Sequence, residues 1–281
     1  MAAAMKIMAM TKNCRQVVWR ILIGAGVMAG MYLATSVWFG PRAEAQTADE
    51  IVAKVLAARG GLAKIKAVKS QRITGTIYFS PEFYGPFVAE FKRPGKMHNE
   101  VVVQNKTVVR TINGKNGGWV LNPFGPKTGA EPMSEAEIKD AMNEADFDGP
   151  LVDSKAKGMT VEFAGTEQVE GRDAYILKLT HSDGKVSNYA FDAKTYLMAK
   201  WSGTDMVNGE AVARETLFHD YRGVNGLKFA FELVSNNPGT GMSQRIVVEK
   251  VEVDPEIDES RFGKPKESAA AAGAVAPATR P

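Results

Sequence analysis

The hydrophobic period of the chain changes along its length. Between residues 47 and 68, Ile51, Val55, Leu56, Leu62, Ile65 and Val68 recur at three- and four-residue spacing, as on a helix with one apolar face. Thr47 followed by Glu50 predicts a capping box at its start, and Gly60-Gly61 predicts a break into two short helices. From Gln71 the period falls to two, with Ile73, Ile77 and Phe79 alternating with Thr74, Thr76 and Tyr78. Further strands are predicted at 86–93, 97–104, 106–113, 117–122, 158–164, 174–181, 186–192, 196–202, 210–221, 227–235 and 243–253. Turn signals such as Arg93-Pro94-Gly95, Asp183-Gly184 and Asn225-Gly226 separate them. Eleven or twelve strands joined by short hairpins predict a mainly β protein with one curved, meandering antiparallel sheet.

One helical segment interrupts the strands. Ser134 and Glu137 form a second capping signal, and Ile138, Met142, Ala145 and Phe147 fall along one stripe. The helix should end before Gly149-Pro150, and its apolar stripe makes it a candidate lid. Beyond Phe262, residues 264–281 are rich in Ala and Pro and read as a disordered tail.

Charge and apolar content single out the first 45 residues. A basic region ends at Arg20, and the uncharged run 21-ILIGAGVMAGMYLATSVWFG-40 follows. Pro41 then precedes Ala43-Glu44-Ala45, the small-x-small pattern read by signal peptidase. A signal cleaved before Gln46 and an uncleaved amino-terminal anchor both fit this pattern. Either one places the body, 46–263, outside the inner membrane. The segment also holds five of the chain's 35 basic residues and one of its 32 acidic residues. The remainder is therefore close to neutral, with no electrostatic feature that would recruit nucleic acid. The only cysteine, Cys14, precedes the apolar run, so the exported body is expected to have no disulfide and no thiol nucleophile.

No catalytic pattern emerges from the remaining polar residues. His98, His181 and His219 are isolated and are expected at surface or edge positions. Asp146, Asp148 and Asp153 lack the order and terminal Glu of a calcium loop, and are expected to be solvated or capping. Neither a GxSxG elbow nor a phosphate-binding loop is present. The protein is therefore expected not to be an enzyme and to need no metal or cofactor.

Apolar strand surface is abundant instead. Phe229 and Phe231 share a face with Leu227 and Leu233, and Phe87 and Phe91 share one with Ala89. Leu177 alternates with Lys178, Tyr189 shares a face with Phe191, and Leu197, Ala199 and Trp201 are expected on a common face. A wide curved sheet with this much apolar surface should leave a cavity for a hydrophobic ligand. The candidate cavity and lid residues are Phe87, Phe91, Trp119, Ile138, Met142, Phe147, Leu177, Phe191, Trp201, Phe229 and Phe231.

Five blocks carry a family resemblance: 47-TADEIVAKVLAARGGLAKIKAVKSQRITGTI-77, 145-ADFDGPLVD-153, 165-GTEQVEGRDAYILKLTHSDGKVSNYAFDAKTYLMAK-200, 218-FHDYRGVNGLKFAFEL-233 and 250-KVEVDPEIDESRFGKP-265. In their order and spacing the chain resembles the LolA/LolB-like periplasmic lipoprotein carriers, and especially the outer membrane lipoprotein-sorting proteins. The resemblance implies an unclosed β-barrel of about eleven strands, with helices as a lid over an apolar interior that holds acyl chains. It implies a periplasmic carrier or chaperone whose cargo is an acylated lipoprotein or another lipid. An inner-membrane delivering complex and an outer-membrane acceptor are then candidate partners. A sensor or regulatory module of the same fold, anchored at the inner membrane, is the alternative. No basic residue in the chain matches a carrier's handoff residue, although Arg72 and Arg110 lie on early strands.

The export pattern has a direct test. Amino-terminal sequencing of the exported species should return Gln46, whereas an intact amino terminus in an inner-membrane fraction would favour the anchored module.

Overall fold

The computed structural model describes residues 46–266, apart from 126, 128, 208–209, 238–240 and 242, and apart from the side chains at 115, 205–207 and 210. The export pattern within 1–45 and the Ala/Pro-rich tail from 267 onward lie outside the described residues. Helix α1 (Ala48–Ala58) begins with both halves of the capping box, Thr47 to Glu50 and back. Gly60 and Gly61, at φ values of 122° and 95°, turn the chain into α2 (Leu62–Ala67). A Cβ on Gly60 would lie 2.4 Å from the Gly226 carbonyl oxygen, so this elbow needs glycine for close approach as well as for its dihedral angle.

Six strands follow: β1 (Ser70–Tyr78), β2 (Tyr84–Lys92), β3 (Lys96–Val103), β4 (Lys106–Asn113), β5 (Gly118–Leu121) and β6 (Glu131–Pro132). Helix α3 (Glu135–Glu144) starts at Ser134 with a second capping box. Seven more strands complete the sheet: β7 (Thr160–Val169), β8 (Arg172–Thr180), β9 (Val186–Asp192), β10 (Met198–Val207), β11 (Glu210–Val224), β12 (Leu227–Asn236) and β13 (Ser243–Val253). The two-residue β6 is too short to show a period and was not expected from the pattern.

All thirteen strands belong to one antiparallel sheet, ordered β6-β5-β4-β3-β2-β1-β13-β12-β11-β10-β9-β8-β7. The chain walks outward from the middle to one edge, crosses by way of α3 and the segment after it, and returns from the other edge. Its last strand lands beside its first, with Ile73 opposite Val251 and Ile77 opposite Ile246. The two edge strands, β6 and β7, do not pair, so the sheet is open.

The sheet must also curl. Seven strands run from β2 to β9, a width of about 29 Å if flat at the usual spacing of adjacent strands. Residues of both strands nevertheless line one cavity.

Helices cover the concave face. Ile51 and Val55 of α1 are fully buried against Leu177, Leu179, Phe191 and Leu151. At 11 residues, α1 is too short to be stable alone, so this packing and its cap hold it in place. Helix α3 sits elsewhere, with Ile138, Ala141, Met142 and Ala145 on Met97 and Ile112 of β3 and β4.

The outward face of β1–β4 is covered by the segment 254–266, whose Ile257 and Phe262 are buried. Buried Glu90 sits between Arg72 and Arg261, accepting from their Nε atoms at 2.8 and 2.7 Å. These bonds hold its carboxyl below the usual range despite the opposing effect of burial. His98 differs from the surface position expected: it is 5% exposed, and its ring nitrogens meet the Arg261 carbonyl and Glu100. The covering segment is remote in sequence, which is why His98 looked like an exposed strand residue.

The central β1–β13 pairing depends on Gly75, which lies at a register shift in the ladder. A Cβ there would stand 2.1 Å from the Val247 carbonyl oxygen and 2.9 Å from the Phe87 ring. Gly75→Ala should therefore destabilise the domain by about 1–3 kcal/mol in a urea titration. Gly223→Ala, where nothing lies closer than 3.7 Å, should change stability by no more than about 0.5 kcal/mol.

Candidate functional site

The concave face and its cover bound a partly open, mostly apolar cavity of about 450 Å³. Ile73, Phe87 and Phe91 supply one wall from β1 and β2, and Phe191 and Met198 supply the opposite wall from β9 and β10. Phe218, Phe229 and Ile246 form the floor between them. Val55 and Arg59 at the end of α1, with the segment Gly149-Pro150-Leu151, form the cover. The volume falls within the range of about 300–1,000 Å³ typical of small-molecule sites. Strand alternation sends every second side chain inward, so a curled sheet concentrates apolar groups on one surface.

The cover after α3 is tied down by basic residues. Asp148, 7% exposed, accepts from Arg93 through both carboxylate oxygens, at 2.5 and 2.8 Å. Arg93 also donates to the Val68 carbonyl at 2.6 Å and lies over the Phe147 ring at 4.8 Å. Lys157 bridges Asp146 and the Gly149 carbonyl, and Arg59 donates from Nη1 to the Asp148 carbonyl at 2.7 Å. Asp148 is thus a buried ion-pair partner, not the solvated or capping residue expected from its neighbourhood. Its partner lies 55 residues earlier, on the β2–β3 turn.

Two polar groups on the lining have shifted equilibria. Burial lowers the Arg59 guanidinium below its ordinary value, partly offset by Tyr221, Asp148 and Asp146. Burial raises the Tyr221 hydroxyl well above the ordinary phenol range, and that hydroxyl donates to the Met198 carbonyl at 2.9 Å. Both shifts follow from partial removal of the groups from water.

Of the eleven candidate residues, Phe87, Phe91, Phe191 and Phe229 lie on the cavity lining. Phe231 packs just behind it, 6% exposed among Val248, Val251 and Phe229, with the Arg222 guanidinium 4.4 Å from its ring. Leu177 is fully buried beneath α1. Trp201 pairs with Tyr189, which is on the lining, but is not itself part of it. A bulge between Met198 and Lys200 breaks the alternation expected there and turns Ala199 into the cluster of Val169, Ala174 and Ala190.

Trp119 pairs with Thr111, which faces the covering segment, and Lys264 lies 5.0 Å from its ring. Ile138 and Met142 belong to the α3 cluster on β3 and β4 and do not reach the cavity. Phe147 stacks at an angle on Phe91, next to the cavity. The part of 134–153 that reaches the lining is thus 149–151, not the helix stripe, because α3 follows edge strand β6 and packs at that side of the sheet. Arg72 faces outward onto Glu90 and Arg110 pairs with Glu144, so neither enters the lining. Sequence reasoning missed Arg59, Met198, Phe218 and Tyr221. Arg59 looked like an ordinary charged residue at a helix end, which is the usual solvated position.

Among the described residues, no group of three or more His, Asp or Glu side chains could hold a metal ion. An open antiparallel sheet wrapped around an apolar cavity, with a helix and a loop as cover, defines a class of folds. No family model and no curated protein matches the sequence significantly. Solved structures do match the fold. A DUF1329 family protein from Desulfovibrio piger superposes with a TM-score of 0.54 at 14% identity, over 78% of this chain and 98% of that one. A LolA superfamily protein from Nitrosomonas europaea superposes with a TM-score of 0.50 at 12% identity, over 78% and 99%. A putative outer membrane lipoprotein-sorting protein domain from Vibrio parahaemolyticus follows at 0.48 and 13% identity, over 76% and 94%. The fold of this chain is LolA-like.

Because Asp148 depends on Arg93 for its charge partner, Arg93→Met should loosen the cover. The expected loss is about 1–3 kcal/mol in global stability. Hydrogen exchange should accelerate at 146–152 by more than in β1 or β13, and equal acceleration everywhere would refute a local tether.

Proposed function

We propose that the protein is a periplasmic carrier or chaperone that holds the acyl chains of a lipoprotein, or another lipid, for sorting towards the outer membrane. The observation that carries this reading is the mostly apolar cavity itself, lined by aromatic and aliphatic side chains of seven consecutive strands in the sheet. The LolA-like fold and the export pattern ahead of Gln46 support the same reading. The role assigns the protein no reaction, so it requires no nucleophile, acid/base pair or cofactor.

Burial of each methylene stabilises a complex by about 0.8 kcal/mol. Ten methylenes then contribute about 8 kcal/mol before the losses of ordering both partners. Such a cargo leaves on a useful timescale only when the cover opens or an acceptor takes it. Tying 146–149 by polar bonds, while within this loop only 149–151 line the cavity, gives the loop a fixed base and a short contact with cargo.

Filling the cavity tests the role without burying a charge. Ala89 lies on the lining between Phe87 and Phe91. Ala89→Trp should weaken binding of a neutral fluorescent acyl probe at least tenfold. Thr74→Trp adds the same bulk to the outward side of adjacent β1 and should leave binding intact. Unchanged binding in Ala89→Trp, or no probe binding by the wild-type protein, would remove the carrier reading.

A further inference from the structure

The cavity lining is mostly apolar, and its charged members are Arg59 and Lys228. Arg59 lies on its lining, at the end of α1 and beneath the 149–151 segment. A guanidinium has five N–H donors and stays charged at neutral pH. Here a single bond, from Nη1 to the Asp148 carbonyl, occupies the head group among the described residues. No ion pair to Arg59 occurs among the described residues, because each nearby carboxylate has another partner: Asp148 is held by Arg93 and Asp146 by Lys157. Arg59, Arg93 and Lys157 therefore share two carboxylates, and with Lys228 also on the lining the cavity carries a local excess of positive charge.

A tether to one carbonyl does not explain this choice of residue. An amide or an ammonium would donate the same single bond, with fewer unused donors to desolvate. Arg59 is half-buried, and a cation partly withdrawn from water without its own counter-charge is unfavourable unless something supplies one. The rest of the lining, Lys228 included, supplies no carboxylate, so the missing partner must come with the ligand.

We propose that the cavity takes a single-chain or multi-chain amphiphile with an anionic headgroup, a carboxylate or a phosphate, which pairs with Arg59 while its hydrocarbon lies along Phe218, Phe229 and Ile246. This rests on the carrier reading and narrows it: a cargo whose buried end is only neutral ester and hydrocarbon would leave Arg59 uncompensated. Planar guanidinium geometry suits bidentate pairing with either anion. The carboxylate source would be a fatty acid and the phosphate source a phospholipid headgroup.

The test measures displacement of the neutral probe N-phenyl-1-naphthylamine from the exported protein at neutral pH. The competitors are dodecanoate, dodecyl phosphate and methyl dodecanoate. At least one anion should displace the probe about tenfold to a hundredfold more tightly than the ester, as expected for charge-assisted hydrogen bonds. Arg59→Met should bring that ratio to about one while ester binding persists, and Arg59→Lys should keep part of it. The tighter anion identifies the headgroup class, and either result supports the inference. Equal affinity of all three for the wild-type protein overturns it without needing any variant to fold, and so does an anion preference that survives Arg59→Met. In both of those cases ester binding leaves the carrier reading standing. Displacement by none of the three overturns the carrier reading itself.

Discussion

Pairing between β1 and β13 is the interaction on which the rest of the structure depends. It joins a strand that begins at Ser70 to one that ends at Val253, and so turns two separate meanders into one sheet. Without it, the strands that carry Phe87 and those that carry Phe191 and Phe218 would belong to different sheets and would share no cavity. The ladder contains a register shift at Gly75, where β13 approaches too closely for any side chain. Irregularities of this kind bend and twist a strand locally, and a bend at the centre of a thirteen-stranded sheet helps the two halves face each other.

Curvature creates a packing problem that the chain solves only in part. The concave face presents large apolar groups over seven strands, and α1 can cover only those beneath Ile51 and Val55. Helix α3 is used at the far side, on Met97 and Ile112. Between them remains a cavity that a short loop roofs over. In a protein with no purpose for it, such a cavity would be an unfavourable loss of contacts. In one that binds hydrocarbon, the ligand makes those contacts instead.

The polar groups around the roof have separate physical roles. Arg93 and Lys157 neutralise buried or half-buried carboxylates and so hold the loop. Arg59 is left with a carbonyl alone, in an environment dry enough to shift its own equilibrium and that of Tyr221. The outward face shows the opposite arrangement. There Glu90 has both Arg72 and Arg261, so the charges balance within the chain. The contrast places the uncompensated charge on the cavity side of the sheet.

Local chemistry was legible in the sequence. Both capping boxes, the glycine break after α1, the long strands and the inward direction of Phe87, Phe91, Phe191 and Phe229 follow from spacing and side-chain type alone. These depend on neighbours within a few residues, where period and propensity act directly. Other features were decided by contacts between remote segments. Such are the meeting of β1 with β13, the burial of His98 beneath 254–266, the pairing of Asp148 with Arg93 and the seating of α3 away from the cavity. The bulge at Ala199 also belongs to this group, since only the partner strand defines it. Arg59 shows the division most plainly. Its position at a helix end was readable, but its solvent, its single hydrogen bond and its lack of a counter-charge were set by the strands and loop that close around it.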